Sequence, residues 1–414
     1  KSAGASLDAG SNYNTFIGEA VSDASMNDAL YNTGVGYQAL SALTTGDANT
    51  AIGMNTGAAI VGGAGNTLLG QGAGGTTTAV NYTTIVGADA ALANMTTAAN
   101  GTVAIGYTAL TALTSGAYNT AIGYNACKTY TTKGYATAVG YKALEFNNDD
   151  ANVAIGYLAG QGVSGQSVTF ESGVYIGSEA GKVLSTGDGN VLVGYHTGLA
   201  LTTGASNVVI GTNALDVATT ATQNVAIGAD AMGAVPAGQA VAGCVAIGLN
   251  AMLGSGSTTT GADDSVAIGK DALKVITTSS GSTAVGAYAG KALTTGDGNT
   301  AIGAYALDAN QTSNFNTAVG YQALSAETAN GSGHNTALGY QAGLVIAGGT
   351  HNTCVGSQAG VAQDGETFNT WIGYYAGGAV NGGASYCIGL GAQAMSGASS
   401  TQNGTIAIGF QSKN

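Results

Sequence analysis

Asn119-Thr120-Ala121-Ile122-Gly123-Tyr124-Asn125-Ala126 decides how this chain folds, because close variants of it recur from one end of the 414 residues to the other. Asn299-Thr300-Ala301-Ile302-Gly303 repeats its first five residues, and Ser265-Val266-Ala267-Ile268-Gly269 keeps the apolar pattern. Indexed on the glycine, about 23 copies run from Gly18, Gly36, Gly53 and Gly70 to Gly373, Gly389 and Gly409, most of them 17 residues apart. A repeat of that length is too short for a helical hairpin and fits one coil of a β-solenoid. The expected fold is all-β: a single parallel β-solenoid, or β-roll, spanning residues 1–414. With rungs about 4.8 Å apart it would form a rod on the order of 110 Å long.

Each column of the repeat carries its own physics. The residue before the glycine is Ile, Val or Leu in every copy, from Ile17 to Ile408. Such a column reads as the spine of a narrow core. Three before the glycine, Thr occupies 13 copies and Val eight, with Tyr386 and Ile406 as exceptions; strand alternation puts this column on the spine's face. Four before the glycine, Asn fills 14 copies, including Asn49, Asn119, Asn207 and Asn316, and reads as a hydrogen-bonded ladder at a corner.

Two before the glycine, on the opposite face, Ala fills 13 copies and no residue is charged. A strand apolar on both faces is normally covered on both. If this column points outward, it implies a second copy packed along it, most simply a trimer about a common axis. Three after the glycine Ala fills 19 copies, and Tyr follows the glycine directly in nine, such as Tyr37, Tyr107 and Tyr340. The tyrosines are expected to stack as a partly exposed row, with a binding stripe as the alternative. A second strand is expected over Leu144-Glu145-Phe146, Leu215-Asp216-Val217 and Leu273-Lys274-Val275, where apolar and polar residues alternate.

Longer intervals fall at every fourth rung, with one phase slip over 228–269 that contains Pro236, the single proline. Intervals from Gly36 read 17, 17, 17, 19, 17, 17, 16, 21 and those from Gly269 read 17, 17, 17, 19, 17, 17, 16, 20, which implies an internal duplication relating 36–177 to 269–409. The chain starts at Lys1 and both ends cut into repeats, as in a processed or excerpted soluble chain, or one that polymerises end to end.

Composition narrows the function classes. Seventy Gly, 7% charged residues and 45% apolar residues suit a repetitive core better than a globular enzyme. With 22 acids against nine bases, a net charge of −13 and no basic run, nucleic acid is not expected as a partner, and no apolar stretch is long enough for membrane insertion.

No catalytic, cofactor-binding or metal-binding residues are assigned. His196, His334 and His351 lie far from any ligand set at metal spacing, and no nucleophile elbow or P-loop occurs. Asp47, Asp188 and Asp297 sit in Gly-Asp turns too far apart to form a calcium ladder; a calcium site, if any, is expected near Asp149 and Asp150 or Asp263 and Asp264. Cys127, Cys244, Cys354 and Cys387 read as small buried residues, with an interchain disulfide as the alternative, and Cys354 and Cys387 share a repeat position. Sequons at Asn81, Asn94, Asn100, Asn310, Asn330 and Asn403 are at the level expected by chance in a chain this rich in Asn and Thr.

The quoted motifs at 119–123, 265–269 and 299–303 resemble the head repeats of trimeric autotransporter adhesins and related repeats of phage tail fibres, over essentially the whole chain. The resemblance implies a left-handed β-roll assembled as a trimer on the outside of a cell or virion. The coil of 17 is longer than the adhesin head repeat, and no stalk, anchor or tail-fibre chaperone domain accompanies it.

The leading expectation is a non-enzymatic extracellular structural protein, a fibre or filament subunit that associates with itself and has a possible adhesive role toward a cell-surface or glycan receptor. The alternative is a shaft or receptor-binding segment of a tail fibre or surface adhesin. An ice-binding solenoid ranks third, because the Thr column exchanges with Val and is expected to face the spine.

Overall fold

The computed structural model describes residue 8 and residues 10–256, 261–327, 332–380, 383–397 and 403–412. The chain is an all-β parallel solenoid of about 22 turns of roughly 17 residues, with no α-helix among the described residues. It divides into two compact units, residues 1–206 and 207–414.

In the first unit, eleven three-residue strands from Thr15–Ile17 to Val191–Val193 pair in parallel, each with the next. In the second, twelve strands from Val208–Ile210 to Ile406–Ile408 pair in the same way. Register is strict: Thr120, Ala121 and Ile122 stand opposite Thr137, Ala138 and Val139. The glycine that ends each strand lies where only glycine fits. At Gly123 φ is +143°, and a Cβ would stand 2.1 Å from the carbonyl oxygen of Gly140 on the next rung.

The two faces of the strand are opposite to the sequence expectation. Ala51, Ala104, Ala121 and Ala226, two before the glycine, are fully buried. The Ile, Val and Leu column before the glycine is half-buried or exposed throughout, with Ile52 at 40% and Leu69 at 45%. The Thr and Val column shares that outward face. In most coils the strand places only a methyl group in the interior and turns the larger Ile, Val or Leu outside; Leu68, Ile85 and Val209 are among the buried exceptions. The Ala stripe is therefore core and gives no reason for a second copy to pack along it.

The opposing wall explains the choice. Three after the glycine, Ala109, Ala126 and Ala143 are buried, and one residue further on come Leu110, Cys127 and Leu144. Leu43, Ile60, Leu113 and Tyr130, seven after the glycine, close the core. Large and small residues alternate across it. Where the strand supplies Tyr175, Leu192 or Trp371, the facing position of the same coil is Gly181, Gly198 or Gly377. Volume is thus conserved coil by coil, as close packing requires.

No second strand forms over Leu144-Glu145-Phe146, Leu215-Asp216-Val217 or Leu273-Lys274-Val275. Residues two and four after the glycine adopt positive φ, for example Lys142 at 57° and Leu144 at 51°, so the backbone curls and cannot extend. A short second sheet, Val345–Ala347 with Ala362–Asp364, is the one exception among the described residues.

One rung is also registered differently. Trp371 pairs with Gly389 and Ile372 with Leu390, and Gly391, at φ +129°, is the strand-ending glycine. The intervals there are 391 − 373 = 18 and 409 − 391 = 18, so the second octet departs from the first in its last two members. Ile388, not Tyr386, stands in the Thr and Val column. Cys387 moves to the Asn column, the column Cys244 occupies many rungs earlier, while Cys354 stays in the strand's inward column, so Cys354 and Cys387 do not share a position.

Candidate functional surface

The Asn column is a buried ladder, as expected. The Asn32 Oδ1 accepts from the Asn49 backbone N–H at 2.9 Å and from Asn49 Nδ2 at 3.0 Å, and Asn49 Oδ1 does the same for Asn66 at 3.1 and 2.9 Å. Asn49 Nδ2 also donates to the Gly63 carbonyl at 2.8 Å. These bonds satisfy amides that would be costly to bury alone. The ladder is structural and faces no solvent.

The acidic turns are likewise occupied. Asp47 Oδ1 accepts from the Leu30 N–H at 2.8 Å, Asp188 from the Glu171 N–H at 3.0 Å and Asp297 from the Ser280 N–H at 2.8 Å, each tying one rung to the one before it. Asp149 pairs with Lys133 at 2.6 Å and Asp150 with the same ammonium at 3.4 Å. Asp263 accepts from the Ala242 N–H at 2.8 Å. Among the described residues no three His, Cys, Asp or Glu side chains gather into a metal-holding group.

All four cysteines are buried. Burial pushes the Cys244 thiol up to about 11 and Cys354 up to about 12, and lifts Cys127 further still. His196 lies 3.5 Å from Glu179 and stacks on Tyr195. Asn81, Asn94, Asn100, Asn310 and Asn403 fall among the described residues and Asn330 outside them; Asn310 is buried, with its amide donating to Glu327.

Two kinds of exposed aromatic row flank the strands. Tyr107, Tyr124, Tyr141 and Tyr157, each following its glycine, stack with centroids 5.4, 5.2 and 5.4 Å apart. The second row escaped the sequence reading. Five before the glycine, Phe315, His334, His351, Phe368 and Tyr386 form a ladder with spacings of 5.3, 4.8, 4.6 and 5.0 Å. The spacing of 17 to 19 residues between these aromatics carries the signal, but other rungs fill the same column with residues as different as Ala48, Gly65, Gln223 and Asp264. Although stacked, these rings stay exposed, for example Tyr141 at 43% and Tyr386 at 59%.

Within each coil the outward strand face lies between the position five before the glycine and the position after it. It carries no charge at either outward position of the strands that follow the repeat, from Thr15 and Ile17 to Ile406 and Ile408. Its chemistry changes along each unit. In the first unit five Thr rungs, Thr15 to Thr84, lead by way of Val103, Thr120 and Thr137 to Val153, Val174 and Val191. In the second, Val208, Val225, Val245 and Val266 precede six Thr rungs, Thr283 to Thr370.

No known family model matches the sequence, and no curated protein matches it. The molecule's own surface therefore carries the functional argument.

Proposed function

We propose that this chain is a non-enzymatic extracellular structural protein, a subunit of a fibre or self-assembling filament that associates with further copies of itself. The observation that carries this is the outward column of Ile, Val and Leu, uncharged in every rung and half-buried or exposed. Side chains of this kind are normally withdrawn from water, and an exposed contiguous apolar patch beyond a few hundred Å² marks an interaction site.

The contact is placed on the Val rungs, where both outward columns are apolar: Val153 and Ile155 to Val191 and Val193 in the first unit, Val208 and Ile210 to Val266 and Ile268 in the second. A second copy is the fitting occupant because its own Val rungs present the same uncharged surface at the same rung spacing, as an isologous contact requires. A closed trimer would instead use this face in a heterologous contact repeated about a threefold axis.

Sedimentation velocity over a wide concentration range tests the reading. The unmodified chain is expected to associate, and Val225→Lys with Val245→Lys to shift it to monomer without altering its circular dichroism. A chain that stays monomeric at the highest concentration, with no filaments in electron micrographs, removes the proposal. A shaft segment of an adhesin or tail fibre is the second reading. The Asn-Thr-Ala-Ile-Gly motifs favour it, and it would use the same face within a longer polypeptide.

A further inference from the structure

We infer that the Thr rungs of the outward face form an ice-binding plane, with the row Thr283, Thr300, Thr317, Thr336, Thr353 and Thr370 as its principal part. Two observations carry this. The first is orientation: these threonines stand on the outer face in parallel register, each two residues before an outward Val, Ile or Leu, from Val285 and Ile302 to Val355 and Ile372. The second is that their hydroxyls are unengaged. None of the six Oγ1 atoms makes a hydrogen bond to the described protein, whereas threonines elsewhere in the coil do, such as Thr277 Oγ1 donating to the Thr294 carbonyl at 2.8 Å.

The consequence is a two-dimensional array. Rungs repeat about every 4.8 Å, and the two outward columns lie about 6.6 Å apart along the strand. Both spacings are comparable to the repeat lengths of the prism face of hexagonal ice. Each Thr supplies a hydroxyl to anchor a water and a methyl to hold the next one in place, and the neighbouring Ile, Val or Leu leaves the water above it no stronger partner than other water.

Rigidity matters as much as spacing, because each ordered water costs immobilisation entropy. Here the Asn ladder fixes the rungs from within: Asn299 Oδ1 accepts from the Asn316 N–H, Asn316 Oδ1 from the Asn335 N–H and Asn335 Oδ1 from the Asn352 N–H, each at 2.9 Å. The face also carries no ammonium or carboxylate, whose hydration shell would disrupt a lattice. Thr15, Thr33, Thr50, Thr67 and Thr84 present a shorter plane of the same kind in the first unit.

Ice-affinity partitioning and thermal hysteresis test this, with the whole chain and the double variant Thr317→Lys with Thr353→Lys. The unmodified chain is expected to enrich at least tenfold in a slowly grown ice fraction and to show a hysteresis gap, and the variant to lose at least nine-tenths of both with an unchanged melting profile. The Val225→Lys with Val245→Lys variant separates this from self-association: monomeric, it is expected to keep its ice activity. The proposal is overturned if the unmodified chain is excluded from ice like serum albumin, or if the lysine variant partitions as well as the parent. It is equally overturned if lysines at Thr317 and Thr353 convert an associated, ice-inactive chain into monomer, which would assign this row to a second copy.

Discussion

The indole of Trp371 fills the space that a side chain at Gly377 would need. A Cβ placed on Gly377 would stand 2.2 Å from Trp371 Cδ2, and Gly377 has φ +61°. Gly360 and Gly389, whose added Cβ atoms would stand 2.9 and 2.7 Å from the same ring, bound it from the neighbouring rungs. Three glycines on adjacent coils thus make room for the one Trp of the chain.

Gly377→Ala is accordingly expected to destabilise the second unit by roughly 2–4 kcal/mol, combining overpacking with the positive φ. The urea midpoint followed by Trp fluorescence measures it, since Trp371 reports on that coil directly.

Adjacent residues of one strand should respond in opposite ways, which tests the inside-out assignment. Ala121→Leu must force a larger side chain into a filled core and is expected to cost on the order of 1–3 kcal/mol. Ile122→Thr lies on the outer face and is expected to change stability by no more than about 0.5 kcal/mol. Thermal melts of the two variants decide; equal effects, or the reverse order, would restore the Ile column to the interior.

Tyr175 presents an uncompensated cost. Its ring is fully buried edge-on to Phe170 at 5.3 Å, but its hydroxyl finds no hydrogen-bond partner, and burial raises its ionisation well above the ordinary range. Tyr175→Phe keeps the ring and removes the stranded polar atom, so it is expected to stabilise the first unit by about 1 kcal/mol. Denaturation midpoints check the sign.

The buried thiols make stability fall in alkali. An accessible thiol ionises near 9.0, whereas Cys244 and Cys354 are held protonated to about 11 and about 12. Their folded values lie above the unfolded ones, so the contribution is complete below pH 9 and is lost as pH rises toward 12. Melting temperatures between pH 8 and 11 should fall, and Cys354→Ala should flatten the slope. In the native state all four thiols are expected to resist a disulfide reagent at pH 8.

The period, the Asn ladder and the glycine column were legible because each is a local or rung-to-rung requirement that leaves a fixed residue type in a fixed column. The stacked tyrosines were legible for the same reason. The facing of the strand was not, since Thr120, Ala121 and Ile122 offer an alternation that fits a core on either side. A hint lay in the pairing of Trp371 with Gly377 and Tyr175 with Gly181, which makes sense only if those columns meet inside. Leu144 and its equivalents alternate in sequence as a strand would, but their backbone lies at positive φ, where alternation no longer sets the facing.

The sequence by itself determined a parallel β-solenoid of short coils, since a repeat of about 17 residues with one β-branched triplet and one obligate glycine has few other ways to satisfy its backbone. Only the tertiary structure decided which side of each triplet meets water. That depends on how narrow the coil is once the opposing wall closes: there is room for the methyl of Ala121 and none for the side chain of Ile122. The same closure set six threonines facing outward from Thr283 to Thr370, and so the proposed interaction surface is the Thr and Ile face and not the Ala column.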